Sequence, residues 1–170
     1  FSQNDHGNFC KCPKCKEINE RHKSDGATNL LFVKKLAERI KREIPRLKVM
    51  TFAYMWSEIP PEGIEVPDNV YIFNAMMNQC LEHLLTDKLC KYNPKMLKSL
   101  FGWAKLTKNL YLWVYITDFL QYPLGIPKTV RFMYLNFQIY KRAGIKGIMY
   151  QGNSSSALAF CDLWSYISSR

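Results

Sequence analysis

The chain has 170 residues, is 48% hydrophobic, and carries a formal net charge of +10 from 24 basic and 14 acidic residues. That length suits one domain with a sizeable core, and that apolar content excludes a disordered or low-complexity chain. Apolar runs such as Leu110–Ile116 are far shorter than the ~20 residues a membrane helix needs, so no membrane span is expected.

In chain order, the polar quartet Ser2-Gln3-Asn4-Asp5 reads as the last residues of a strand whose beginning is missing. No signal-peptide pattern is visible there. A loop carrying Cys10, Cys12 and Cys15 follows. Ala27-Thr28-Asn29 then opens a helix to about Ile44, with Val33, Leu36, Ala37, Ile40 and Ile44 on one face and Pro45 as its stop. Lys34, Lys35, Lys41 and Arg42 are spaced like its wet side. Residues 1–50 hold 12 basic and 6 acidic residues, so the alternative is a patch for polyanions.

Leu47–Tyr54 reads as a strand, followed by a proline-rich loop from Ile59 to Pro67, and Val70–Met76 reads as the next strand. A long polar loop with Cys80, His83 and Cys90 precedes a short helix near Pro94–Ala104. Leu110–Ile116 is β-branched and aromatic throughout, which marks a strand. Its loop holds Thr117-Asp118 and leads to a helix over about Pro127–Ala143, capped by Gly144. A last strand, Lys146–Tyr150, ends at Gln151-Gly152, and a final helix begins near Ser154–Ser156 and runs through Leu158, Cys161 and Trp164.

Five strands alternating with four helices predict an α/β chain with a parallel sheet and helices outside it. No GxGxxG and no GxxxxGK[ST] is present, which removes the main support for a nucleotide-binding doubly wound fold. Polar residues gather at strand C-termini, where a β/α barrel builds its site. Five strands cannot close an eight-stranded barrel. The expectation is a partial (β/α)8 TIM-type barrel, with residues 1–170 as the C-terminal part of one domain.

The carboxylates Asp5 and Asp118 each follow a strand, and a carboxylate pair on one barrel face is what glycoside hydrolysis requires. Asn4 beside Asp5 suits a hydrogen bond to a sugar hydroxyl; for either aspartate the plainer role is a helix cap or a turn. Tyr54, Trp56, Trp113, Tyr115 and Tyr150 are candidate sugar-stacking faces, against core packing as the alternative. Trp56 stands out because it lies in a loop, and Gln151, ending the last strand, joins the substrate-binding candidates.

Cys10, Cys12 and Cys15 could give three thiolates to a structural zinc, with His83, Cys80 or Cys90 as the fourth ligand. In an oxidising compartment, disulfides among the loops after the first and third strands are the favoured alternative, and free thiols the third. Cys161 reads as a small buried hydrophobe. His83 is a candidate for substrate contact, metal ligation or proton transfer, or simply for anchoring its loop. Glu58, Glu62 and Glu65 read as solvated loop charges, of which only Glu58 is near enough to a strand end to reach a pocket.

The succession Ser2-Gln3-Asn4-Asp5, Cys10-x-Cys12-Pro13-x-Cys15, Phe52-Ala-Tyr54, Cys80-x-x-His83, Trp113-x-Tyr115 and Gly147-x4-Gly152 resembles domain of unknown function 4838, an uncharacterised bacterial family grouped with the glycoside hydrolase barrels. The resemblance implies a (β/α)8 barrel distantly similar to β-N-acetylhexosaminidases and α-glucuronidases, with strands four to eight represented here. It also implies a carbohydrate substrate, O-glycosyl bond hydrolysis, and a secreted or cell-surface location.

Under that resemblance Asn4-Asp5 falls where barrel glycosidases keep an Asn-Glu acid/base at the end of strand four. Cys80 and His83 match a cysteine–histidine loop after strand six, and Trp113 and Tyr115 match a Trp-x-Tyr on strand seven. Val114 and Gln151 stand where that family often has acidic residues. The rival readings are a non-catalytic glycan-binding or scaffold domain and, less favoured, a zinc-stabilised nucleic-acid-binding module.

Overall fold

The computed structural model describes residues 1, 3, 5–115, 129–151, 166 and 169. Helix α1 spans Pro13–Arg21 and α2 spans Ala27–Glu43. Strand β1 (Val49–Ala53) runs into a 3-10 turn at Met55–Ser57, and β2 covers Val70–Ala75. Helix α3 (Asn93–Leu106), β3 (Leu110–Tyr115), α4 (Thr129–Arg142) and β4 (Gly147–Gln151) complete the order.

All strand pairs are parallel, and the sheet order is β1-β2-β3-β4. A doubly wound sheet reverses its strand order to place helices on both faces. Here every crossover steps the same way, and right-handed connections then keep the helices on one side. The burial pattern agrees. Val49, Thr51, Ala53, Val70, Ile72, Leu110, Leu112 and Val114 alternate inward. The apolar ones pack against Leu30 and Val33 of α2, Leu100 and Trp103 of α3, and Ile139 and Tyr140 of α4. This is an α/β fold in a partial-barrel arrangement, and among the described residues the sheet does not close.

The opposite face is aromatic because the strands alternate with period two. Phe73 stacks on Tyr111 with ring centroids 5.5 Å apart, and Phe52 meets Trp113 at 5.6 Å. The register pairs Phe52 with Phe73 and Phe73 with Tyr111, so one aromatic layer crosses β1, β2 and β3.

The opening strand end falls partly outside the described residues, since Ser2 and Asn4 are not among them. The described sheet has four strands, and beside β1 the Phe1 amino group donates to the Met50 carbonyl at 2.9 Å and the Gln3 amide to the Tyr54 carbonyl at 2.6 Å. Another expectation changes. The cysteine loop becomes helix α1 directly after Cys12, with Pro13 preset for a first helical position. Its buried Asn19 explains why: the side-chain oxygen accepts from the Thr28 backbone nitrogen at 3.0 Å and hydroxyl at 2.8 Å, capping α2 from outside. Gly144 closes α4 as expected, at φ 74, where a side chain would be strained. The final helix through Cys161 and the start at Pro127 lie outside the described residues.

Candidate functional site

A pocket of about 400 Å³ opens over the C-terminal ends of the strands. Tyr54 reaches it from the end of β1, Ala75 from β2 with Met77 just beyond, Trp113 and Tyr115 from β3, and Gln151 from β4. Gln3, Asp5 and Phe52 complete the wall. Sequence positions 54, 113, 115 and 151 converge because they lie at successive levels near the ends of neighbouring parallel strands, on the face opposite the helices: Ala75 pairs with Trp113, and Tyr115 with Gln151 one layer further on.

The opening segment is locked onto this rim. The Gln3 amide donates to the Tyr54 carbonyl at 2.6 Å, and its oxygen accepts from the Ser57 hydroxyl at 3.0 Å. Ser57 in turn accepts from the Tyr54 backbone nitrogen at 3.1 Å. Between them Met55 adopts φ 52, a left-handed conformation that turns the chain sharply after Tyr54. The Tyr54 hydroxyl donates to Asp5 Oδ1 at 2.8 Å, which fixes the carboxylate at the pocket.

Electrostatically, both phenols are held in the neutral form. Burial, then the hydrogen bond to Asp5, pushes the Tyr54 hydroxyl above its usual range. Tyr115 is raised by burial and by the negative charge of Asp5. Trp113 is oriented by its indole N–H, which donates to Gln151 Oε1 at 2.6 Å. Its ring packs against Phe52 and lies 6.4 Å from that of Tyr115. Apolar ring faces, two phenols, two amides and one carboxylate thus share one cavity, a composition suited to a polyhydroxylated ligand with apolar C–H faces.

Asp5, Tyr54, Trp113, Tyr115 and Gln151 are therefore brought together as the sequence reading places them. Asn4 and Asp118 lie outside the described residues. Trp56 is not at the pocket: it packs against Phe9, with ring centroids 5.6 Å apart, because the 3-10 turn swings it under the N-terminal segment. Tyr150 pairs in register with Val114 and packs against the helix-side core. Val114 is 2% exposed on that same side. An acid at position 114 would point into the core, so the valine takes no carboxylate from the pocket; Gln151 does line it.

His83 is not among the pocket residues either, and groups instead with Cys80 and Cys90. Glu58 is no solvated loop charge. It is 2% exposed, paired with Lys95 Nζ at 3.2 Å and bonded by Asn78 at 2.9 Å, while its backbone oxygen accepts from Ser99 and Trp103. Burial of a charge is tolerable only with such partners, so Glu58 anchors the loop instead of serving a ligand. The sequence reading does not single out Gln3, Phe52, Ala75 or Met77 as pocket residues. Phe52 was readable from its two-residue spacing to Tyr54, Gln3 from its place beside Asn4-Asp5, and Met77 carries no sequence signal.

A second chemistry lies in the thiols. Cys10, Cys12 and Cys15 bring their sulfurs within 4.8 Å of one another at the start of α1 and could hold a metal ion. Hydrogen bonds, first of all from the Cys15 backbone, hold the Cys12 thiol low, whereas Cys15 is pushed up to about 11, chiefly by its hydrogen bond with Cys12. The disulfide alternative is not realised among the described residues, where Cys10, Cys12, Cys15, Cys80 and Cys90 are all free. Nor does His83 complete the first cluster, since the fold seats it in a separate loop.

A family model described as Domain of unknown function (DUF4838) matches residues 1–170, and the chain belongs to that family. No curated protein and no solved structure matches it.

Proposed function

We propose that this DUF4838 domain is carbohydrate-active and hydrolyses an O-glycosyl bond of a poly- or oligosaccharide in the strand-end pocket. The observation that carries the reading is the convergence of the Asp5 carboxylate with Tyr54, Trp113, Tyr115 and Gln151 around one cavity. Its size lies near the lower end of the roughly 300–1,000 Å³ usual for small-ligand sites. Trp113 and Tyr115 offer ring faces to a pyranose, while Gln3 and Gln151 offer amides to its hydroxyls.

Asp5 is proposed as the general acid/base. With Oδ1 engaged by Tyr54, Oδ2 is the oxygen that meets the glycosidic bond. Asp118, three residues beyond the end of β3 in sequence, is proposed as the partner carboxylate. A polymer substrate outside the cell would go with a secreted or cell-surface location. Among the described residues no helix is long and apolar enough to cross a membrane.

The second reading is a non-catalytic glycan-binding or scaffold domain. It is favoured by one feature: Asp5 is the only acid lining the pocket among the described residues, and a wall of rings and amides suffices for binding alone. The nucleic-acid reading draws less support. Lys16, Arg21, Lys23, Arg39 and Lys41, five of the basic residues in the first fifty, are each paired with an acid.

A glycan array and a hydrolysis screen of wild type and Asp5→Asn decide between the readings. Hydrolysis by wild type that disappears in Asp5→Asn while binding persists supports catalysis. Binding without hydrolysis in both proteins supports the scaffold reading, and absence of both removes the carbohydrate proposal.

A further inference from the structure

The loop between β2 and α3, residues 76–92, contains neither helix nor strand. Ordered loops of that length usually have a function or an internal clasp. Here Cys80-x2-His83-x6-Cys90 brings two sulfurs and an imidazole nitrogen within 4.8 Å of one another, and Cys80 Sγ lies 3.2 Å from His83 Nδ1. Zn–S bonds of about 2.3 Å and Zn–N bonds of about 2.0–2.1 Å in a tetrahedron separate neighbouring ligand atoms by roughly 3.5–3.8 Å. The three atoms already stand near those separations.

The surroundings are those of a prepared site. Asn93, fully buried at the first residue of α3, accepts from the Cys80 backbone nitrogen at 2.8 Å. Its amide faces the carbonyls of Cys80, His83 and Leu84 at 3.2, 3.0 and 3.1 Å. Its own backbone N–H points at Cys90 Sγ, 3.5 Å away. One side chain thus fixes the backbone at two of the three ligands, and its N–H donates to the third, as outer-shell groups do around metal thiolates.

We propose that Cys80, His83 and Cys90 form a zinc site, distinct from Cys10–Cys15, that clasps the β2–α3 loop. Two thiolates and an imidazole are a zinc-preferring set, with water able to complete the tetrahedron. Binding displaces both thiol protons to solvent, so affinity falls as pH falls. The same loop carries Met77 into the pocket and Asn78 onto Glu58, so the ion braces one pocket wall from behind.

The test is zinc content by plasma mass spectrometry on the full chain, purified with its thiols reduced and equilibrated with zinc, then with metal-free buffer. In a Cys10→Ser, Cys12→Ser, Cys15→Ser background the chain should keep about one zinc and lose it on adding His83→Ala. Because His83 is exposed, that substitution should leave the far-ultraviolet circular dichroism intact. In the otherwise native chain, which avoids any folding defect of the triple variant, His83→Ala should lower the content by one equivalent and His83→Cys should restore it. Cobalt loaded in place of zinc should show thiolate charge-transfer bands that weaken in Cys90→Ser. Equal zinc in wild type and His83→Ala, or a Cys80–Cys90 disulfide in protein isolated without oxidant, overturns the proposal.

Discussion

Asn93→Ala isolates how the β2–α3 loop is held. The side chain makes one bond as acceptor and shares two amide protons among three carbonyls, which amounts to about three effective hydrogen bonds. At about 1 kcal/mol each, the loss is about 3 kcal/mol, less if water enters the vacated space. For a chain of this size that lowers the melting temperature by roughly 6–12 °C. Asn93→Asp sharpens the argument. It keeps the acceptor for the Cys80 nitrogen but turns a second oxygen toward three carbonyls, so its carboxyl should be raised in the folded state by burial and by opposing dipoles. A raised folded value means stability present at acid pH and lost as pH rises through that value. Asn93→Asp should therefore approach wild type most closely near pH 4 and fall furthest below it near pH 7. Urea unfolding followed by tryptophan fluorescence at both pH values reads this directly. An Asn93→Ala variant within about 0.5 kcal/mol of wild type, or an Asp variant relatively better at neutral pH, would refute the account of the loop.

Gly102→Ala should destabilise despite its helical position. Alanine gains about 1 kcal/mol of helix propensity, but its Cβ would stand 2.5 Å from the ring of Pro60, and overpacking costs about 1–3 kcal/mol; a higher melting temperature would show that Pro60 yields freely. Tyr54→Phe should change stability by less than about 1 kcal/mol at pH 7 yet weaken glycan binding by releasing Asp5, as isothermal titration would measure. The same variant should lose less stability than wild type as pH climbs above about 10, because a phenol raised in the folded state contributes stability only until the pH passes its folded value. Trp113→Phe keeps a ring beside Phe52 but frees Gln151, so it should reduce ligand affinity more than it reduces stability; equal losses would make Trp113 a packing residue only.

Local pattern was enough for most of the architecture. Alternating strands at β1–β4, a helical face through Val33, Ala37 and Ile40, Pro45 as a stop and Gly144 as a cap are all written in short-range chemistry, and parallel strands follow from crossover lengths. So is the level at which Tyr54, Trp113, Tyr115 and Gln151 sit, because period two and strand ends are countable along the chain. What short-range pattern cannot carry is the partner of each side chain. Glu58 looks solvated until Lys95 and Asn78 close over it, and Trp56 looks like a platform until Phe9 covers it. Helix α1 is polar along most of its length and depends on Asn19 reaching α2. The sorting of six ligands into two separate thiol clusters is likewise a matter of distance across the fold, decided by which loops the packed sheet brings together.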